Sequence, residues 1–235
     1  MAIETVFLDA GGVVVFPNWV RISEALARQG VAVAADDLAA AEPFVKRQID
    51  DGRLVATTDD HRRGWLYFDL LFERLGVPRG KATDRAVAEL YAYHQRSSLW
   101  EWVPADVDPA LSALTGMGLR LVAVSNANGR VQELFDRLGL LRHFHCVIDS
   151  FIEGVEKPDP RLFRIALARS GARAETTVHV GDLYHVDVIG ARAAGLSAVL
   201  LDAGDLYPGV DCDRVRSLDE LVTLLRGRSN GGRSA

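Results

Sequence analysis

TTVHVGDLYHVDVIGARAAGLSAVLLDAG, residues 176–204, is the stretch whose reading decides the fold. TTVHVGD is an apolar run of strand type that stops on Gly181 and Asp182. HVDVIGARAAG places apolar residues at helical spacing and closes on Gly195, and LSAVLLDAG is again an apolar strand. Strand, helix, strand in that order is the crossover unit of a parallel sheet. The same rhythm extends back toward residue 100. DVDPALSALTGMG (106–118) reads as a helix, LRLVAVSN (119–126) as a strand and NGRVQELFDRLGL (128–140) as a helix. HFHCVIDS (143–150) is a strand and DPRLFRIALARSG (159–171) a helix. SLDELVTLLRG (217–227) is a closing helix, and RSNGGRSA (228–235) reads as a disordered tail.

At the other end of the chain, IETVFL (3–8) is a short β-prone run that ends on Asp9 and a Gly-Gly pair, and VVVF (13–16) is stopped by Pro17. The texture then changes. NWVRISEALARQG (18–30), DDLAAAEPFVKRQIDDG (36–52), TDDHRRGWLYFDLLFERLG (58–76) and GKATDRAVAELYAYHQRSS (80–98) are amphipathic at helical period, with no clear strand among them. Pro43 is a candidate kink in the second. The expected fold is therefore α/β: a Rossmann-like parallel sheet with helices on both faces, from residues 1–16 and 100–235, plus an inserted helical cap domain at 17–99.

Composition narrows the class. Apolar residues make up 49% of 235, enough for a sizeable core, and the net charge of −5 does not suggest a nucleic-acid surface. Cys146 and Cys212 form no CxxC pairing and read as buried thiols in a reducing compartment. MAIETVFLDAGG lacks a basic start, so it does not read as a signal peptide. No run reaches the roughly 18 apolar residues of a membrane span. A cytoplasmic protein without membrane or nucleic-acid partners, a monomer or homodimer, is the expectation.

The polar residues fall at telling places. Asp9, Ser125 with Asn126, and Asp182 each stand just past the carboxyl end of an apolar strand, the edge at which open α/β sheets bind ligands. Separate strands would thus bring them together. FLDAGGV (7–13), VSN (124–126), Lys157 in EKPDP and GDLYHVD (181–187) resemble, in order and spacing, the four motifs of the haloacid dehalogenase superfamily. The inserted helices look like that family's type 1 cap. The resemblance implies a hydrolase of a small phosphorylated metabolite, with Asp9 as the nucleophile that becomes an aspartyl-phosphate. It implies Mg2+ held by Asp9, the carbonyl of Gly11 and Asp182, with Asp187 acting through a water or on Lys157. Gly11, Gly12 and Asn126 would hold the phosphoryl group through backbone amides. The Ser125 hydroxyl would bond a phosphoryl oxygen, and Lys157 would offset charge in the transition state. Read without the resemblance, Ser125 caps the helix near Gly129, Lys157 is an exposed loop lysine, and Asp187 is a carboxylate at a helix start.

One position departs from the pattern. Phosphatases resembling this family carry a second aspartate two residues after the nucleophile, where this chain has Gly11. Another group then supplies the proton (His185, or Lys46, Arg47 or His61 in the cap), or the leaving group needs none. Alternatively Lys46 forms a Schiff base, as in phosphonoacetaldehyde hydrolases, and a carbon–phosphorus bond breaks. A third alternative is a catalytically impaired protein that binds metal and phosphate. A 2-haloacid dehalogenase, which needs no metal, is the least favoured. Trp19, Lys46, Arg47 and Trp65 are candidates for the substrate-facing lining of the cap.

Overall fold

The computed structural model describes residues 2–231, without the side chains at positions 60, 61, 65 and 229–231. Among these residues the elements in chain order are β1 (Thr5–Leu8), β2 (Phe16–Pro17), α1 (Trp19–Arg28), α2 (Ala35–Ile49), α3 (Gly52–Thr57), α4 (Asp60–Arg74), α5 (Lys81–Arg96) and β3 (Trp100–Trp102). There follow α6 (Val107–Gly116), β4 (Arg120–Ser125), α7 (Val131–Arg137), β5 (Phe144–Asp149), α8 (Ser150–Glu153) and α9 (Pro160–Ser170). The last are β6 (Thr177–Gly181), α10 (Ile189–Ala193), β7 (Ser197–Leu201), β8 (Asp213–Val215) and α11 (Leu218–Gly231). The chain divides into two compact units: one runs from the N-terminus to Val15 and resumes at Val103, the other is Phe16–Trp102.

The first unit is a parallel sheet in the order β5-β4-β1-β6-β7-β8, flanked by helices. Every residue of β1 and of β6 is buried, as strands covered on both faces require. One apolar layer joins Phe7, Val122, Val124, Ile148 and Leu200 to Leu162, Phe163 and Ala166 of α9 and Ala191 of α10. Because β1 lies between β4 and β6, with Leu8 opposite both Ala123 and Val180, the ends of these three strands are neighbours. The topology places Asp9, Ser125 and Asp182 along one edge.

The second unit is helical, around Trp19, Ile22, Leu26, Leu38, Val45, Phe68, Leu71 and Leu90. Pro43 sits inside α2 without ending it. At the ends of this unit Phe16–Pro17 pairs antiparallel with Trp100–Trp102, and within it Asp51 caps a further short helix, α3, through the amides of Arg53 and Leu54. This ribbon moves the unit boundaries to Phe16 and Trp102. Val13–Val15 do not continue as a strand. Gly12, at φ 78°, turns the chain so that the Val14 and Val15 amides both donate to the Ala10 carbonyl at 2.9 Å. At the far end α11 runs through residues 228–231 of the expected disordered tail. Its Leu221, Val222 and Leu225 are buried and its Arg228 pairs with Asp213; residues 232–235 lie outside the described residues.

Candidate active site

At the sheet edge, the Asp9 amide donates to the Val180 carbonyl at 2.9 Å, which extends the β1–β6 pairing by one residue. One carboxylate oxygen of Asp9, Oδ1, accepts from the Ala10 amide at 2.7 Å and from Lys157 Nζ at 3.0 Å. Lys157 is wholly buried, and its ammonium also donates to Asp187 Oδ1 at 2.7 Å. The reading of Lys157 as an exposed loop residue is thereby corrected. Its backbone is clamped by Asn126, whose Nδ2 donates to the Lys157 carbonyl at 2.9 Å while its Oδ1 accepts from the Lys157 amide at 2.7 Å. A side-chain amide has both functions and can close such a ring.

Asp187 lies in a π-helical turn, Tyr184–Val188, rather than at a plain helix start. Its Oδ2 accepts from the Leu183 amide at 3.0 Å. Gly181 is required beside it, since a Cβ there would stand 2.1 Å from Asp187 Cγ. Asp182 is buried, and one oxygen each from Asp9, Asp182 and Asp187 lie within 4.8 Å of one another. Three hard oxygen donors in so small a space suit a divalent cation such as magnesium.

The charges are strongly coupled. Burial pushes the Asp9 carboxyl up to about 7, although Lys157 pulls it the other way. Burial alone would lower the Lys157 ammonium, but Asp187 and Asp9 outweigh it and hold the group above the ordinary lysine value. For Asp187 burial raises the carboxyl, while Lys157 and a hydrogen bond from His179 bring it well below the usual range. Burial lowers the His179 imidazole despite Asp187 beside it.

Ser125 is buried at the end of β4, with its hydroxyl 3.4 Å from the Asn126 carbonyl. It does not cap the following helix, which starts at Val131 behind Arg130. The carboxylate that orders this loop is Asp149, which the sequence reading missed. It accepts from the amides of Gly129 and Phe151 at 3.0 Å and of Val131 at 3.4 Å. Asp149→Ala is expected to lower stability by about 1.5–3 kcal/mol, the worth of charge-assisted bonds in a buried setting. A urea titration against the wild type checks this, and a loss below about 0.5 kcal/mol would refute it. His179 was likewise missed; an ionisable residue between two valines was the available signal.

In the helical unit, Lys46 pairs with Glu42 at 3.1 Å and Arg47 is exposed, while Trp19 belongs to the unit's core. The side chains of His61 and Trp65 lie outside the described residues. His185 packs edge-on against Tyr184.

With this geometry in place, comparison with known proteins gives the class. The sequence profile of the haloacid dehalogenase-like hydrolases matches residues 3–195, and the chain belongs to that family. Glyceraldehyde 3-phosphate phosphatase of Methanopyrus kandleri is 36% identical over 171 residues, covering 68% of this chain and 72% of that one. Haloacid dehalogenase-like hydrolase domain-containing protein 3 of Mus musculus is 35% identical over 130 residues, 55% of this chain and 51% of its own length. The solved structure of YfnB from Bacillus subtilis superposes with a TM-score of 0.69 at 19% identity, covering 96% of this chain and 99% of that one, and so shares the fold. No helix among the described residues is long and apolar enough to cross a membrane.

Proposed function

We propose that this protein is a magnesium-dependent hydrolase of a small phosphorylated metabolite, with Asp9 as the nucleophile. The observation that carries the reading is the wholly buried Lys157, held between Asp9 and Asp187. A buried cation is costly unless it is matched, and here it is matched at the carboxyl edge of the sheet beside an accessible carboxylate. The name of the Methanopyrus kandleri relative supports a phosphorylated substrate.

Asp9 would attack phosphorus through a carboxylate oxygen as the bond to the leaving oxygen breaks, giving an aspartyl-phosphate and a leaving group that departs as a carboxylate from an acyl phosphate, or as an alcohol once its oxygen takes a proton from solvent. Water then attacks the phosphoryl group, inorganic phosphate departs and Asp9 is regenerated. Lys157 offsets negative charge on the phosphoryl oxygens, and Ser125 with the amides after Asp9 would orient them. Magnesium, held by Asp9, the Gly11 carbonyl and Asp182, would supply further positive charge at the phosphoryl oxygens. Asp187 serves through Lys157. The helical unit would act as a cap that selects substrate and excludes water.

Gly11 offers no side chain to protonate the leaving oxygen, so the preferred substrates are those with acidic leaving groups, acyl phosphates above alkyl phosphates. Lys46 is a poor Schiff-base candidate while it is paired with Glu42.

The test is phosphate release across phosphomonoesters, acyl phosphates and phosphonoacetaldehyde, with and without magnesium. Activity that persists in EDTA would end the metal assignment. Gly11→Asp is expected to raise alkyl-phosphate turnover, by up to about 10²-fold of the 10²–10⁴ that general acid catalysis contributes, with little gain on acyl phosphates. An equal change on both classes would refute the leaving-group argument.

A further inference from the structure

We propose that His179 is a positioning residue for this site, and that its Nε2–H fixes the Asp187 carboxylate which holds Lys157 against Asp9. His179 lies in the middle of β6, fully buried, with Nε2 3.0 Å from Asp187 Oδ1. Its ring stands edge-on to Phe163, with centroids 4.9 Å apart. Nδ1 is buried and has no hydrogen-bond partner among the described residues.

That orphaned nitrogen is informative. To donate to Asp187, the neutral ring must carry its proton on Nε2, which leaves Nδ1 as a buried acceptor with no donor among the described residues. Burying an unmatched acceptor is unfavourable. An aliphatic side chain at this buried position would carry no such penalty, so the compensating contact is the one to Asp187.

Asp187 in turn receives three donors: Lys157 Nζ and His179 Nε2 on Oδ1, and the Leu183 amide on Oδ2. Together they fix the plane of the carboxylate. Without His179 the carboxylate gains freedom to turn, and the Lys157 ammonium follows it away from its 3.0 Å contact with Asp9 Oδ1. Such a displacement affects the step in which charge develops at phosphorus more than the binding of substrate.

The inference rests on the phosphatase reading, so its test carries one readout that does not. With p-nitrophenyl phosphate and magnesium, and Asp9→Asn as the blank, His179→Leu is expected to lower kcat by on the order of 10-fold or more, the usual scale for a residue that orients a site group. KM and Tm stay near wild type. His179→Gln, whose amide reaches the same place as Nε2–H, recovers most of kcat. In proton NMR of the metal-free protein, the imidazole N–H bonded to a carboxylate is expected as a slowly exchanging downfield signal. It should be lost in His179→Leu and moved in Asp187→Asn. Full kcat in His179→Leu, equal losses in the Leu and Gln variants, or absence of the downfield signal would each overturn the proposal. If the wild type released no Asp9-dependent phosphate, the phosphatase reading would fail and the NMR signal would still decide the contact.

Discussion

Lys157→Met is expected to destabilise the α/β unit by about 3–5 kcal/mol at neutral pH and to leave no measurable turnover. Methionine matches the length and apolar stem of lysine, so packing is largely kept and the loss is electrostatic. The substitution leaves Asp9 and Asp187 without the ammonium that now bridges them at 3.0 and 2.7 Å. The sign of the pH dependence follows from the same pair. In the wild type Asp187 is held below the ordinary carboxylate range. Its ionised form therefore contributes stability above its unfolded value of about 3.9, and that contribution is lost as pH falls through the lower folded value. Without the ammonium, both carboxyls titrate above their unfolded values and folding takes up protons. The variant therefore gains stability as pH falls from about 8 to about 5, and the gap to wild type narrows. Urea titrations in EDTA at several pH values would measure it. A gap that does not change with pH would mean that packing, not charge, explains the loss.

The sheet was legible because its strands are buried on both faces and read as continuous apolar runs. The strand-end residues were legible for the related reason that Asp9, Ser125 and Asp182 interrupt those runs at their carboxyl ends. What could not be read are the partners each side chain finds through space. His179 is a polar residue inside an apolar strand, and nothing in its neighbours reveals that Asp187, on the turn after β6, lies within 3.0 Å of Nε2. Asp149 ends β5 as plainly as Asp9 ends β1, yet it is committed to backbone amides of its own and the adjacent loop. Strand-end position alone does not separate these two carboxylates. The three-residue β3 and β8 escaped because runs so short carry no periodicity, and the β2–β3 pairing joins segments more than eighty positions apart.

Asp9→Asn should reduce turnover by at least about 10⁴-fold, on the scale seen when the attacking group of an enzyme is removed, while the fold survives. Asparagine is nearly isosteric, and its carbonyl oxygen can still accept from the Ala10 amide and from Lys157, the two donors now on Asp9 Oδ1. What it lacks is the anionic oxygen that bonds phosphorus. The stability change has its own sign. Burial raises the Asp9 carboxyl from 3.8 to about 7 in the folded protein, so its ionised form opposes folding, increasingly as pH rises from the unfolded value to the folded one. A neutral amide is spared that cost. In the absence of divalent ions the variant should therefore melt at or above the wild-type temperature at pH of about 8, with the advantage fading as pH falls toward about 5. Thermal melts across that range, beside phosphate-release assays with magnesium, separate the two contributions. Residual turnover within tenfold of wild type would remove Asp9 as the nucleophile. A large loss of melting temperature at every pH would instead make Asp9 a structural carboxylate, and its lost activity would no longer speak for the chemistry.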